Sequence, residues 1–164
     1  MVFQNIMKVK LDLLTLRSLA SRRALLITDL TTMDKNYKFF VKPALEQSQI
    51  SDIDLINLKQ DTILKNFIKK NNQIVFNNYK ILIIDKQLNY KKLSTEGRFS
   101  SVWLTANNKF KLENIPKEME YKNLIIDATN KDYKITNFNF FTDKNKIIAH
   151  ILKKNPAYLV YLTQ

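Results

Sequence analysis

The sequence predicts an α/β fold built on a mixed β-sheet with flanking helices, and three observations carry that expectation. Short apolar runs recur along the chain, each ending in Asn, Asp, Ser or Thr, as buried strands bounded by turns do. Two of them, Val102-Trp103-Leu104 and Leu124-Ile125-Ile126, flank a stretch suited to a short helix, which is a βαβ signature and requires a parallel pair. Gln73-Ile74-Val75-Phe76 and Tyr79 to Asp85 are joined by Asn77-Asn78, a hairpin and therefore an antiparallel pair, because Asn tolerates the left-handed backbone of tight turns.

Along the chain, Met7 to Leu13 alternates apolar and polar as a half-buried strand does. A turn over Ser18 to Arg23 and a more buried strand over Ala24 to Asp29 complete an opening hairpin. Tyr37, Phe40, Val41, Ala44 and Leu45 fall at helical spacing within Met33 to Gln49; Asp34 is placed as the N-cap, and Pro43 predicts a kink or a split. Ile53 to Leu58 reads as a weak strand, Ile63 to Ile68 as either a strand or one helical turn, and Asn89 to Arg98 as a basic loop. Tyr133 to Lys144 suits a helix poorly in composition, yet Ile135, Phe138 and Phe141 are spaced to share one face. Ile147 to Leu152 and Ala157 to Leu162, separated by Lys153-Lys154-Asn155-Pro156, read as a closing hairpin.

Composition narrows the function classes. At 164 residues, 45% of them hydrophobic and 26% charged, the chain is expected to form a single soluble α/β domain over residues 1–164. No cysteine is present, so disulfides, thiolate metal sites and cysteine nucleophiles are excluded together. The single glycine, Gly97, leaves no material for a Gly-rich phosphate loop, which removes kinases, Walker-type NTPases and dinucleotide enzymes. No apolar run approaches the roughly 18 residues needed to cross a bilayer, and Met-Val-Phe-Gln-Asn lacks the regions of a signal peptide. Lys plus Arg outnumber Asp plus Glu by 27 to 15, a net charge of +12 that favours polyanionic partners.

In an open parallel sheet ligands sit at the carboxyl ends of the strands, here Thr105 to Asn108 and Asp127 to Asn130. These positions hold amides, hydroxyls and one carboxylate, with no His, Cys or Gly. His150, the sole histidine, lies within an apolar strand and reads as a structural residue. Asp29, Asp85 and Asp127 each end an apolar run and, if gathered, would suit a divalent cation, although strand-end Asp is also a common turn residue. Arg22 and Arg23 at the first turn suit either a phosphate clamp or a charged hairpin tip. From residue 59 to 92, eight lysines face only Asp61 and Asp85. The candidate nucleic-acid contacts are Lys69, Lys70, Tyr90, Lys91, Lys92 and Arg98, with Tyr79, Tyr90 and Phe99 as the freer aromatics for stacking on bases once alternation turns Phe67 and Phe76 inward. Neither a catalytic residue, a metal ligand nor a cofactor is assigned.

Several pieces carry a family resemblance: Ser101 to Lys109, the helix around Leu112 to Met119, Leu124 to Asn130, the final strand Ala157 to Val160, and Arg22 to Asp29. In this order they resemble the C-terminal region of ComEC-type competence proteins, the inner-membrane channel of bacterial DNA uptake. That region is metallo-β-lactamase-like in many members, and the chain is similar to a shorter, degenerate branch without metal ligands. Within Ser101 to Lys109 a metal-binding relative would carry a His-His-Gly turn, which this chain lacks, and the His-X-His-X-Asp-His pattern is absent. The resemblance implies a domain detached from a larger membrane protein, facing either side of the membrane, with single-stranded DNA and the transmembrane channel portion as partners. The expected function is a non-catalytic, DNA-contacting domain of an uptake channel. The rivals are a metal-dependent nuclease using the strand-end aspartates and a purely structural docking domain.

Overall fold

A computed structural model describes residues 2–4, 13–17, 23–47, 49–85, 97–105, 111–115, 119–154 and 157–159. In chain order the first strands are β1 (Val2–Gln4), β2 (Leu13–Arg17), β3 (Arg23–Thr28) and β4 (Asp52–Asn57). There follow β5 (Thr62–Leu64), β6 (Phe67–Lys70), β7 (Gln73–Phe76), β8 (Tyr79–Ile84), β9 (Gly97–Leu104), β10 (Met119–Ile126), β11 (Ile148–Ile151) and β12 (Ala157–Leu159). The helices are α1 (Lys42–Gln47) and α2 (Asp132–Asn145).

The strands form two mixed sheets where the sequence suggested one. The first has the order β12-β1-β2-β3-β4, antiparallel except for β3 with β4; the second runs β11-β10-β9-β8-β7-β6-β5, parallel from β8 to β11 and antiparallel from β5 to β8. Alternation along each central strand gives it two buried faces. Leu25, Ile27 and Ile56 of the first sheet meet Phe67, Ile74, Ile81, Ile83, Trp103 and Ile125 of the second, forming the inter-sheet core. On the outer face of the second sheet, Leu82, Ile84, Val102, Leu104, Leu124 and Ile126 are covered by Ile135 and Phe138 of α2. On the outer face of the first, Ala24 and Leu26 are covered by Tyr37, Val41 and Leu45. The layers are therefore helix, sheet, sheet, helix.

The expected hairpins over residues 13–28 and 73–84 are present, and Ile63 to Ile68 resolves into the hairpin β5–β6. Met7 to Asp12 and the turn with Arg22 lie outside the described residues. The predicted split at Pro43 is present: a π-type turn over Tyr37–Val41, in which Lys42 N–H reaches Tyr37 O, precedes α1. Pro43 has no N–H, and its ring crowds the carbonyl four residues back, which widens the turn before it. Asp34 does not cap that helix. Its carboxylate turns back to accept from Thr31 N (2.6 Å) and Thr31 Oγ1 (2.8 Å), and these bonds hold it below the usual carboxylate range.

Two other expectations are corrected, and one left open is settled. The segment between β9 and β10 holds a single 3₁₀ turn, Leu112–Asn114, among its described residues, and β10 already begins at Met119. Residues 132–145 do form a helix, because burial of Ile135, Phe138 and Thr142 outweighs poor propensity; Lys146 closes it with φ 54°, and Ile147 N–H returns to Thr142 O at 3.0 Å. The closing hairpin does not form: β11 joins β10 in parallel across α2, whereas β12 pairs with β1 in the other sheet. Asn71 and Asn77 take the left-handed positions of two hairpin turns, the task glycine usually has. Gly97 serves close approach instead, since a Cβ there would lie 3.0 Å from the Phe99 ring.

Trp103 is fully buried between the sheets. Trp103→Ala is expected to cost about 3–5 kcal/mol, read by urea denaturation followed by circular dichroism, whereas Phe140→Ala on the exposed side of α2 should stay within roughly 0.5 kcal/mol.

Candidate functional site

Strands β8, β9 and β10 run parallel and in register, Ile84 with Leu104 and Leu104 with Ile126, so Asp85, Thr105 and Asp127 leave the sheet at one edge. Backbone bonds continue past the strand ends: Thr105 N–H to Ile84 O at 3.0 Å and Asp127 N–H to Leu104 O at 3.0 Å. The inward alternation of Ile83, Trp103 and Ile125 continues into these three residues, which places them over the inter-sheet core.

Asp127 is 2% exposed. A carboxylate this deep must be hydrogen-bonded, and its acceptors are engaged: Oδ1 receives Thr129 N–H (2.7 Å) and Thr129 Oγ1–H (2.6 Å), and Oδ2 faces Trp103 Nε1–H at 3.4 Å. Asn130, fully buried, ties the same turn down by donating from Nδ2 to Leu104 O and Asp127 O, each at 3.0 Å. The Asp-Ala-Thr-Asn segment is thus a turn held by its own hydrogen bonds that launches α2, with Asn130 Oδ1 left buried and without a hydrogen-bond partner.

Asp85 and Asp127 lie two strand spacings apart, about 10 Å between Cα atoms, and Asp29 ends β3 in the other sheet with its carboxylate 3.5 Å from Lys59 Nζ. Among the described residues no three His, Cys, Asp or Glu side chains converge as metal ligands. What lies among these acids is an ammonium. Lys69 is 2% exposed, with Nζ 3.1 Å from Asn71 O and 3.9 Å from Asp61 Oδ1, which also accepts Asn71 N–H at 2.7 Å. Burial pulls Lys69 below the usual lysine range, and the charges of Asp61, Asp85 and Asp29 oppose that shift.

The residues singled out as nucleic-acid contacts separate accordingly. Lys69 turns into the sandwich; Lys70 and Arg98 are exposed, Arg98 Nε 2.8 Å from Glu120; Tyr90, Lys91 and Lys92 lie outside the described residues. Tyr79 and Phe99, expected to be free for stacking, are buried at 8%, and the Tyr79 hydroxyl is hydrogen-bonded to Ser101. His150 lies half-buried in β11 beside Ile125. A surface groove of about 1030 Å³ runs along α1; of the charged residues that line it, Lys42 and Glu46 lie 3.9 Å from each other, and Lys38 is the third. No helix among the described residues is long and apolar enough to cross a membrane.

These features define a mixed α/β sandwich in which the described side chains at the strand-end edge, Asp127, Thr129 and Asn130, are tied by hydrogen bonds to the protein itself. The ComEC C-terminal domain family model matches residues 14–162, and the chain belongs to that family, whose parent proteins are the membrane proteins of bacterial DNA uptake. Neither the comparison with curated proteins nor that with solved structures returned a match.

Lys69 makes stability depend on pH with a definite sign. Its folded pKa lies below the unfolded 10.5, so between the two values the folded state binds fewer protons and stability rises with pH. In urea denaturation at about pH 7 and about pH 10, the protein should gain stability relative to Lys69→Met over that window; equal changes in the two proteins would contradict a buried ammonium.

Proposed function

We propose that the chain is a non-catalytic, DNA-contacting domain of a DNA-uptake channel. The observation that carries the reading is family membership over residues 14–162 joined to a strand-end edge already filled from within. The Asp127 carboxylate is committed to Thr129 and Trp103, and Asp29 is paired with Lys59. A nuclease of the two-metal kind needs carboxylates free to share ions at roughly 2.1 Å, and Asp127 offers no free acceptor pair for that. The chain's contribution to DNA handling is then electrostatic, in keeping with its net charge of +12.

Contacts on this reading come from Lys70, Tyr90, Lys91, Lys92 and Arg98. Lys69 supports the fold, since its ammonium is turned inside. With Tyr79 and Phe99 in the core, phosphate contacts dominate over stacking among the described residues, so binding should be weakly sequence-dependent and strongly salt-dependent. The domain is a piece of a larger membrane protein, and the transmembrane portion is its natural neighbour.

Titration of a labelled single-stranded oligonucleotide at about 50 mM and about 200 mM salt tests this. Log K should fall linearly with log salt, and Lys91→Gln with Lys92→Gln should lower the slope by about 0.7 for each phosphate that is no longer neutralised. Negligible binding at the lower salt would reject the DNA-contact role.

A further inference from the structure

The helical cover of the second sheet is partial. α2 and the segment around Leu112 and Ile115 bury the outer face of β8 to β11, yet the outer face of β5, β6 and β7 carries no such cover among the described residues. Register places Ile63 opposite Ile68, Ile68 opposite Val75, and Val75 opposite Lys80, so these side chains form one row across four strands. Ile63 is 75% exposed and Ile68 41%, and Val75 is half-buried. A row of exposed aliphatic side chains on a sheet face costs solubility and calls for an occupant.

The charges around the row select that occupant. Lys65 in the β5–β6 turn and Lys80 at the far end of the row are both exposed, Lys70 lies one step along β6, and no acidic residue occurs from Thr62 to Ile84. Phosphate contacts would use the lysines alone and leave the exposed isoleucines unaccounted for, and no described aromatic ring of these strands stands beside the row for a base to stack on, since Phe67 and Tyr79 are buried and Phe76 is half-buried on the inner side. Aliphatic side chains ringed by lysines instead match the boundary between headgroups and acyl chains, where apolar groups insert and ammonium groups meet anionic phosphates.

We propose that the outer face of β5–β7, centred on Ile63 and Ile68 with Lys65 and Lys80 at its margins, docks on the surface of an anionic lipid bilayer. Docking there orients the sandwich with β5 to β7 against the membrane and leaves the Arg98 side of the sheet for other partners. Lys70 is shared with the DNA reading, but the residues on which this inference turns, Ile63, Ile68, Lys65 and Lys80, are not among the proposed DNA contacts.

Co-sedimentation of the full chain with vesicles tests it, using phosphatidylcholine alone and phosphatidylcholine with about a third phosphatidylglycerol. The protein should pellet with the anionic vesicles and not with the neutral ones. Ile63→Ser with Ile68→Ser should weaken binding about tenfold, and Lys65→Gln with Lys80→Gln about tenfold as well, with melting temperature and oligonucleotide affinity unchanged in both. The second pair changes exposed charges alone, so it serves where the first fails to fold. Absence of binding to anionic vesicles, or binding that neither pair weakens, would overturn the proposal. So would loss of oligonucleotide affinity in these variants, which would make the face a nucleic-acid surface, or loss of a dimer, which would make it an interface between copies.

Discussion

A carboxylate placed under the inter-sheet core is the constraint around which this structure is arranged. Asp127 follows Ile126 at the end of the central strand β10, where alternation carries it inward, and at 2% exposure it requires donors. The donors come from both sides of the fold: the turn supplies Thr129, and β9 supplies the indole of Trp103, itself fully buried between the sheets. One side chain therefore links the strand end, the inter-sheet core and the start of α2. Asn130 adds bonds to Leu104 O and Asp127 O, so the edge of the sheet that ordinarily receives ligands is held by neighbouring strands.

The same logic extends to the other acidic residues at this end of the sandwich. Asp29, Asp61 and Asp85 act on one buried ammonium, and Lys69 pays a desolvation cost to lie among them. Burying one charge of each sign leaves the net excess of cations unchanged, and among the described residues Lys70, Lys80, Lys122 and Arg98 are exposed on four strands of the larger sheet. A strand-end turn tied by its own hydrogen bonds and exposed cations on the larger sheet are what this chain presents, in a family tied to DNA uptake.

Much of this was legible in the chain. The Asn77 hairpin and the parallel pair β9–β10 follow from alternation and turn chemistry, and Ile135 and Phe138 marked the face of α2 despite its Asn and Phe content. Lys69 was legible too, although charge alone placed it outside: it stands two residues from Phe67, and a strand that turns Phe67 inward turns Lys69 with it. Tyr79 shares the parity of Ile81 and Ile83 for the same reason, with Ser101 supplying its buried partner. The pairing of the last two strands was not legible. Alternation tells which face of a strand is buried and nothing about its neighbour, so β11 and β12, adjacent in sequence and alike in composition, read as a hairpin while belonging to different sheets.

The central claim, that the strand-end edge is occupied by the protein's own hydrogen bonds and its own cation, has a direct measurement in calorimetric titration with manganese and with zinc at neutral pH. The account predicts no saturable site and no change in melting temperature with either ion. Stoichiometric binding of either ion that is abolished by Asp127→Asn would contradict it.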